Sequence, residues 1–237
     1  MSTFAFKQFS IDQEEVSMKV GVDGVLLGAW VQMPDNVATV LDIGTGTGLI
    51  ALMLAQRYVQ AKIQAVELDK KAAEVAQRNV AASPWSDRIE VICADVADYL
   101  TEQVQQYDVI VSNPPYYTKG YPVDDTGRKL ARDTESLPHA ILATLMCRRL
   151  HPNGISAVIL PVQEGERFIQ LMEQAGAYLI RHTRLITKKG KPEKRSLLAF
   201  SLTAQPLVED TLYMYSENGE GFSEAYRALT KDFYLAF

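Results

Sequence analysis

Val40-Leu41-Asp42-Ile43-Gly44-Thr45-Gly46-Thr47-Gly48 is the stretch on which the fold turns. A short apolar run, Val37 to Ile43, ends in glycines at alternate positions, and Leu49 to Tyr58 continues with helical character. A strand running into a glycine-rich turn and then a helix opens an α/β sheet, in which ligands bind beyond the carboxyl ends of the strands. Glycines there permit φ > 0 and let the backbone approach a ligand closely. A dinucleotide would call for G-x-G-x-x-G, with its pyrophosphate on the helix N-terminus. Here the third glycine comes one residue early, and Leu49 holds the last position of that fingerprint. Asp42, two residues before Gly44, would repel a pyrophosphate and suits a ligand carrying an ammonium group.

Downstream, strand-like and helical stretches alternate. Lys62 to Glu67 reads as a strand, and Asp69 as the cap of a helix that runs to about Ala82. Ile89 to Cys93 is a third strand, Val96 to Val104 a short helix, and Tyr107 to Ser112 a fourth strand. A helix over about Glu135 to Leu150, a turn at Asn153-Gly154, a strand Ile155 to Leu160 and a helix Gln163 to Ala175 follow. Tyr178 to Thr187 and Ser196 to Leu202 flank the turn Lys188 to Arg195 as a hairpin. This order predicts a parallel sheet with helices on both faces and an antiparallel hairpin at one edge. Glu67, 23 residues beyond Gly44, suits the two hydroxyls of a ribose, and Asp95 an adenine amino group; Asp95 also reads as a helix cap.

Asn113-Pro114-Pro115-Tyr116 directly follows the fourth strand, at the same end of the sheet as the glycines. Its chemistry suits an NH2 group conjugated to a π system. Two acceptors, one per N–H, draw the lone pair out of conjugation. The Asn113 side-chain oxygen supplies one, and the Pro114 carbonyl the other, with φ fixed by consecutive prolines. Tyr116 offers a ring for stacking. A plain Pro-Pro strand stop is the bland account.

V-L-D-I-G-T-G-T-G (Val40 to Gly48), A-V-E-L-D (Ala65 to Asp69) and C-A-D-V (Cys93 to Val96) resemble the successive motifs of the class I S-adenosylmethionine-dependent methyltransferases. The resemblance implies a Rossmann-like α/β fold with a seven-stranded, mostly parallel sheet and S-adenosyl-L-methionine as cofactor. It adds Thr45, Leu68, Val96 and Asn113 to the cofactor contacts already argued for Asp42, Gly44, Gly46, Gly48, Glu67 and Asp95. Asn113-Pro114-Pro115-Tyr116 resembles the amino-methyltransferases, whose targets include adenine N6, guanine N2 and glutamine N5. Phe6-Lys7-Gln8-Phe9, Met18 to Trp30 and the basic turn resemble the tRNA adenine-N6 methyltransferases that modify the base beside the anticodon of a valine tRNA. This implies tRNA, through its anticodon arm, as partner. Guanine N2 of rRNA, glutamine N5 of a release factor, or a non-catalytic RNA-binding module are the alternatives.

Hydrophobic residues make up 47% and charged residues 22%, which suits one domain over 1–237 with a substantial core. Residues 1–36 read as a strand/helix extension, 37–203 as the catalytic core and 204–237 as a C-terminal strap, with a helix at Glu224 to Tyr234. Net charge is −5, yet 179–200 holds seven basic residues against Glu193. Lys188, Lys189, Lys191, Lys194 and Arg195 are therefore candidate RNA contacts, or a solvated hairpin tip. The loop from Tyr117 to Thr134, with Lys119, Tyr121, Arg128, Lys129 and Arg132, reads as a lid or a plain surface loop. His139, His151 and His182 lack metal-ligand spacing and read as surface or structural residues. Cys93 and Cys147, in apolar runs, read as buried free thiols of a cytoplasmic protein with neither a secretory signal nor a membrane span. No metal and no obligate protein partner is expected.

Overall fold

The run Thr39–Ile43 forms β3, and its alternating side chains explain the architecture at once. Val40 packs into one apolar cluster and Leu41 and Ile43 into another, on opposite faces of a sheet. Val109 and Val111 against Ile110, and Ala157 and Ile159 against Val158 and Leu160, divide in the same way. A sheet apolar on both faces has to be covered twice, as in parallel α/β folds. The computed structural model describes residues 3–14, 16, 19–32, 36–115, 137–218 and 220–237.

In chain order, the elements are β1 (Thr3–Ala5), β2 (Ser10–Asp12), α1 (Val22–Trp30), β3, α2 (Leu49–Arg57), β4 (Lys62–Glu67), α3 (Lys70–Ala81), β5 (Ile89–Cys93), α4 (Val96–Glu102) and β6 (Tyr107–Ser112). Then come α5 (His139–Arg149), β7 (Leu150–Leu160), α6 (Val162–Gln174), β8 (Tyr178–Ile186), β9 (Glu193–Ser201), β10 (Val208–Tyr213) and α7 (Glu224–Thr230). The main sheet has the order β10-β8-β9-β7-β6-β3-β4-β5, and only β9 runs against its neighbours. Leu26, Leu52, Val80 and Tyr226 bring α1, α2, α3 and α7 to one face, and Leu100, Leu142 and Phe168 bring α4, α5 and α6 to the other.

Among the described residues the sheet holds eight strands where seven were expected. The eighth, β10, comes from the segment read as a strap and pairs in parallel with β8, so the β8–β9 hairpin is not the sheet's edge. The expected turn at Asn153-Gly154 lies within β7 as an irregularity: Tyr107 pairs with Leu150, and Val109 already with Ile155. A Cβ on Gly154 would lie 2.8 Å from the Asp108 carbonyl oxygen, so only glycine fits. Cys147 is buried as expected, but Cys93, the last residue of the edge strand β5, is exposed.

β1 and β2 form a separate two-stranded sheet. Phe6 stacks on Phe9 at 4.7 Å between centroids, and the Lys7 ammonium donates to the Lys231 carbonyl at 2.7 Å. The two ends of the chain thus clasp each other beside α1.

Candidate active site

Sheet order reverses at β3, which lies between β4 and β6. Loops leaving adjacent strands at such a switch point diverge to opposite faces and open a crevice. The loop after β3 is Gly44–Gly48, and the residue after β6 is Asn113. β3 and β6 pair Ile43 with Ser112, and the buried Ser112 hydroxyl donates to the Ile43 carbonyl at 2.9 Å. One hydrogen bond therefore fixes the spacing of the glycine loop and Asn113. A cavity of about 340 Å³ lies above them, lined by Gly44, Thr45, Gly46 and Asn113 on one side and by Lys19 to Gly24 on the other.

The loop conformation follows from its glycines. Gly44, Gly46 and Gly48 have φ of +70°, +57° and +83°, a region that side chains disfavour. A Cβ on Gly44 or Gly46 would meet nothing within 4 Å, so the loop's outer surface is open for a ligand. Gly48 instead lies against Ala76 of α3. The Gly44 and Thr45 amides donate to the Val66 carbonyl at the end of β4, and the Gly46 amide donates to Glu67 Oε2 at 2.8 Å. With these donors committed internally, and Glu67 a carboxylate, the loop makes a poor pyrophosphate cradle.

Asp42 lies beneath the loop, wholly buried. Its Oδ2 accepts from the Thr45 hydroxyl at 2.6 Å and from the Ala51 amide at 3.2 Å, tying the loop to the first turn of α2. Burial pushes its carboxyl up to about 7, opposed by those two bonds and reinforced by the Glu67 charge. Its Oδ1 finds no hydrogen-bond partner. The acid that the sequence reading matched to a ligand's ammonium group thus lies under the loop. Glu67 Oε1 accepts from the Asp69 amide, so each Glu67 oxygen holds one backbone N–H and keeps a further lone pair.

Leu68 is half exposed beside Glu67, an apolar platform at the end of β4. Asp95 caps α4 by accepting from the Ala97 amide at 2.7 Å, so the bland reading of that acid holds, and Val96 behind it is buried. Asp69 likewise caps α3 through the Ala72 amide. Pro114 is buried and Pro115 exposed. Tyr116 and the 117–134 segment read as a lid lie outside the described residues.

Two groups that shape the site were not singled out from the sequence. Ser112 is one. Asn79, a buried polar residue on the apolar face of α3, donates to the Thr47 carbonyl and the Asp12 carbonyl, stapling the glycine loop to β2. The wall from Lys19 to Gly24 falls within the Met18 to Trp30 stretch that carried the resemblance, although its place on the cavity was not read from the sequence.

The basic turn is more neutral than its composition promised. Arg181 pairs with Asp210 at 3.0 Å and lies over the Trp30 ring, and Arg184 pairs with Glu209. Lys189 pairs with Glu217 at 2.7 Å and Arg195 with Asp23 at 2.8 Å. Three of these acids come from β10 and the turn after it, which the sequence reading left out of the sheet. Among the described residues, Lys188, Lys191 and Lys194 make no ion pair within 4.0 Å.

Comparison with known proteins agrees with this geometry. The methyltransferase small domain matches residues 25–137, from α1 past Asn113 to the start of α5. A predicted O-methyltransferase of Agrobacterium tumefaciens shares the fold at a TM-score of 0.67 and 19% identity, over 89% of this chain and 96% of its own. Two relatives are similar over nearly their whole length, and both are tRNA1(Val) (adenine(37)-N6)-methyltransferases. That of Pasteurella multocida is 45% identical over 99% of this chain and 97% of its own, and that of Phocaeicola vulgatus 46% identical over 98% and 97%. The fold is thus that of a class I methyltransferase, and the chain belongs to the tRNA1(Val) (adenine(37)-N6)-methyltransferase family.

Proposed function

We propose that this chain transfers a methyl group from S-adenosylmethionine to the exocyclic N6 of adenine 37 in the anticodon loop of a valine tRNA. The observation that carries the chemistry is the juxtaposition of the glycine loop and Asn113-Pro114 across the β3–β6 pair, locked by the Ser112–Ile43 hydrogen bond. The base and the tRNA follow from the activity named for the relatives.

When bound, S-adenosylmethionine supplies an electrophilic methyl group. The open surface over Gly44 and Gly46 fits such a group, and Thr45 and Gly48 set the loop's shape. Glu67 has lone pairs for ribose hydroxyls, while Leu68 and Val96 offer apolar contact for the adenine ring. Asp95 has a second carboxylate oxygen for its amino group. Asp42 holds the loop from below through Thr45 and Ala51.

The Asn113 side-chain oxygen and the Pro114 carbonyl accept the two N–H groups of the target amine and orient its lone pair. Tyr116 stacks on the target base. Both acceptors are neutral, and the amine's proton becomes acidic only as the methyl is transferred, so no strong base is needed. Acceleration comes from positioning and from dipoles already oriented. Lys188, Lys191 and Lys194 hold phosphates of the anticodon arm, and Lys189 and Arg195 contribute after exchanging their carboxylate partners. A base in a single-stranded loop is turned into the crevice at low unstacking cost. No helix among the described residues is long and apolar enough to cross a membrane. We place the enzyme with its tRNA in the cytoplasm.

The test is incubation with methyl-labelled S-adenosylmethionine and unmodified total tRNA from a strain lacking this protein, followed by nucleoside mapping. Label as N6-methyladenosine beside one valine anticodon is the expected result. Label in rRNA guanine or a protein glutamine would keep the amine chemistry and overturn the substrate, and no transfer to any of them would overturn the enzyme.

A further inference from the structure

Tyr215 lies two residues beyond the end of β10 and is 40% exposed, a large surface ring that the chemistry above does not use. It is part of a stack. Its ring lies on Phe222 at 5.2 Å between centroids and 14° between planes, and Phe222 lies on Tyr226 at 4.8 Å and 12°. Phe237 meets Phe222 and Tyr226 edge-on and wedges both. Tyr226 is 1% exposed, so the stack is rooted in the core and Tyr215 is its outermost ring. The backbone fixes that ring as well: the Tyr215 amide donates to the Thr187 carbonyl at 3.0 Å, and Tyr215 forms an antiparallel bridge with Phe222. Among the described residues, no ring other than Phe222 stacks on Tyr215.

The place of this ring follows from the sheet. β8 and β10 run parallel to β3 and β6, so their carboxyl ends share one edge with the glycine loop and Asn113. Thr187, which holds the Tyr215 amide, directly precedes Lys188, and Lys189 pairs with Glu217, two residues past Tyr215. At the far end of the same turn, Arg195 pairs with Asp23 of the cavity wall. One surface therefore runs from the cavity, along the turn with Lys188, Lys191 and Lys194, to Tyr215. β6 and β10 are four strand spacings apart, about 19 Å, so a base in the crevice does not reach Tyr215. We propose that Tyr215 is a stacking platform for a second unpaired base of the tRNA, outside the crevice, with the three lysines on the phosphates between the two bases. Every nucleobase offers a π-face, and a ring already fixed in a stack loses little freedom on binding one. The lysines beside it favour a polyanion over an apolar protein segment.

The inference rests on the tRNA reading above, and its test separates the two. Tyr215→Leu still covers Phe222 but removes the stacking face, and Tyr215→Phe keeps that face without the hydroxyl. The platform predicts that Tyr215→Leu raises Kd for an unmodified anticodon stem-loop RNA about tenfold, while Tyr215→Phe stays within about twofold. Tm, Kd for S-adenosylmethionine and the slope of log K against log salt should hold in both, since no charge is removed. Equal affinities of the two variants, or a change from dimer to monomer in Tyr215→Leu, would overturn the platform, the latter by making this surface a contact between copies. Tyr215→Trp supplies a reading that needs no methylation. A base stacked on the new indole quenches its emission, so a short single-stranded RNA should quench it and inorganic polyphosphate should not. Quenching in a chain that methylates no tRNA would overturn the function and keep the platform; methylation of tRNA without quenching would overturn the platform alone.

Discussion

Gly44–Gly48 and Lys188–Arg195 are both short loops singled out by residue type, and folding treats them in opposite ways. The glycines occupy the positive-φ conformations for which their spacing argued, and nothing elsewhere in the chain alters that. The basic residues meet Glu217 and Asp23, and the arginines before them meet Asp210 and Glu209, so much of the charge is matched before any RNA arrives. A signal carried by backbone geometry survives folding, because it is local. A signal carried by charge is rewritten by whichever strand lies alongside.

The largest test of the geometric half is Asn113→Ala. It removes one acceptor of the amine and leaves the glycine loop intact, so turnover should fall about 10³-fold with cofactor affinity almost unchanged. Single-turnover rates and calorimetry separate the two, and an equal loss in both would make Asn113 chiefly a cofactor ligand.

Asp42→Asn comes next and is read as stability against pH. The folded carboxyl titrates near 7 and the unfolded one near 3.8, so between those values the folded chain keeps a proton that the unfolded chain has released. Stability from this group is present below the lower value and lost as pH rises toward the upper, at about 1.4 kcal/mol per pH unit. Asparagine still accepts from Thr45 and does not titrate, so the variant's Tm should fall less between those pH values. Parallel Tm curves for the two proteins would show that Asp42 is already ionised. Gly46→Val is smaller still. A β-branched side chain at φ +57° costs about 1–3 kcal/mol and projects into the ligand's space, so the cofactor Kd should rise about 30-fold. An unchanged Kd would mean that the open surface of the loop is not the binding surface.

The same division explains what was legible. Lys62–Glu67, Ile89–Cys93 and Tyr107–Ser112 form strands at the limits read from the sequence, because each is a short apolar run stopped by a turn residue or a proline. β10 was not legible. Its Glu209 and Asp210 are poor strand residues by themselves, and their partners Arg181 and Arg184 lie 25 or more residues earlier. Ser112 and Asn79 were missed for a related reason. Each is a polar residue in an apolar stretch whose meaning depends on a distant partner: Ile43 for Ser112 and Asp12 for Asn79. Asp42 was read as an acid suited to a ligand's ammonium group; its burial beneath the loop was not legible, since its neighbours in sequence do not reveal what covers it.

The charge half is tested by removing the lysines that make no ion pair. Lys188, Lys191 and Lys194 changed together to alanine should weaken tRNA binding about tenfold at moderate salt and lower the slope of log K against log salt by about 2, since each phosphate contact contributes about 0.7–0.9. Turnover at saturating tRNA should hold. A slope equal to that of the unaltered protein would move the phosphate contacts to another surface.

The smallest effect sharpens the comparison most. Lys189 and Lys191 stand two residues apart on one turn, and both are exposed, but Lys189 pairs with Glu217 at 2.7 Å and Lys191 makes no ion pair within 4.0 Å among the described residues. A phosphate that recruits Lys189 must first displace a carboxylate, and breaking that ion pair offsets most of the attraction to the phosphate. Lys189→Ala also leaves the Glu217 charge unmatched near the RNA, whereas Lys189→Ala with Glu217→Gln does not. The single variant should therefore weaken tRNA more than the double, which should bind within about twofold of the unaltered protein, while Lys191→Ala alone shifts the salt slope by nearly 1. If Lys189→Ala and Lys191→Ala shift the slope equally, the carboxylate partner gives way freely, and the charge pattern of the turn was as good a guide as the glycines.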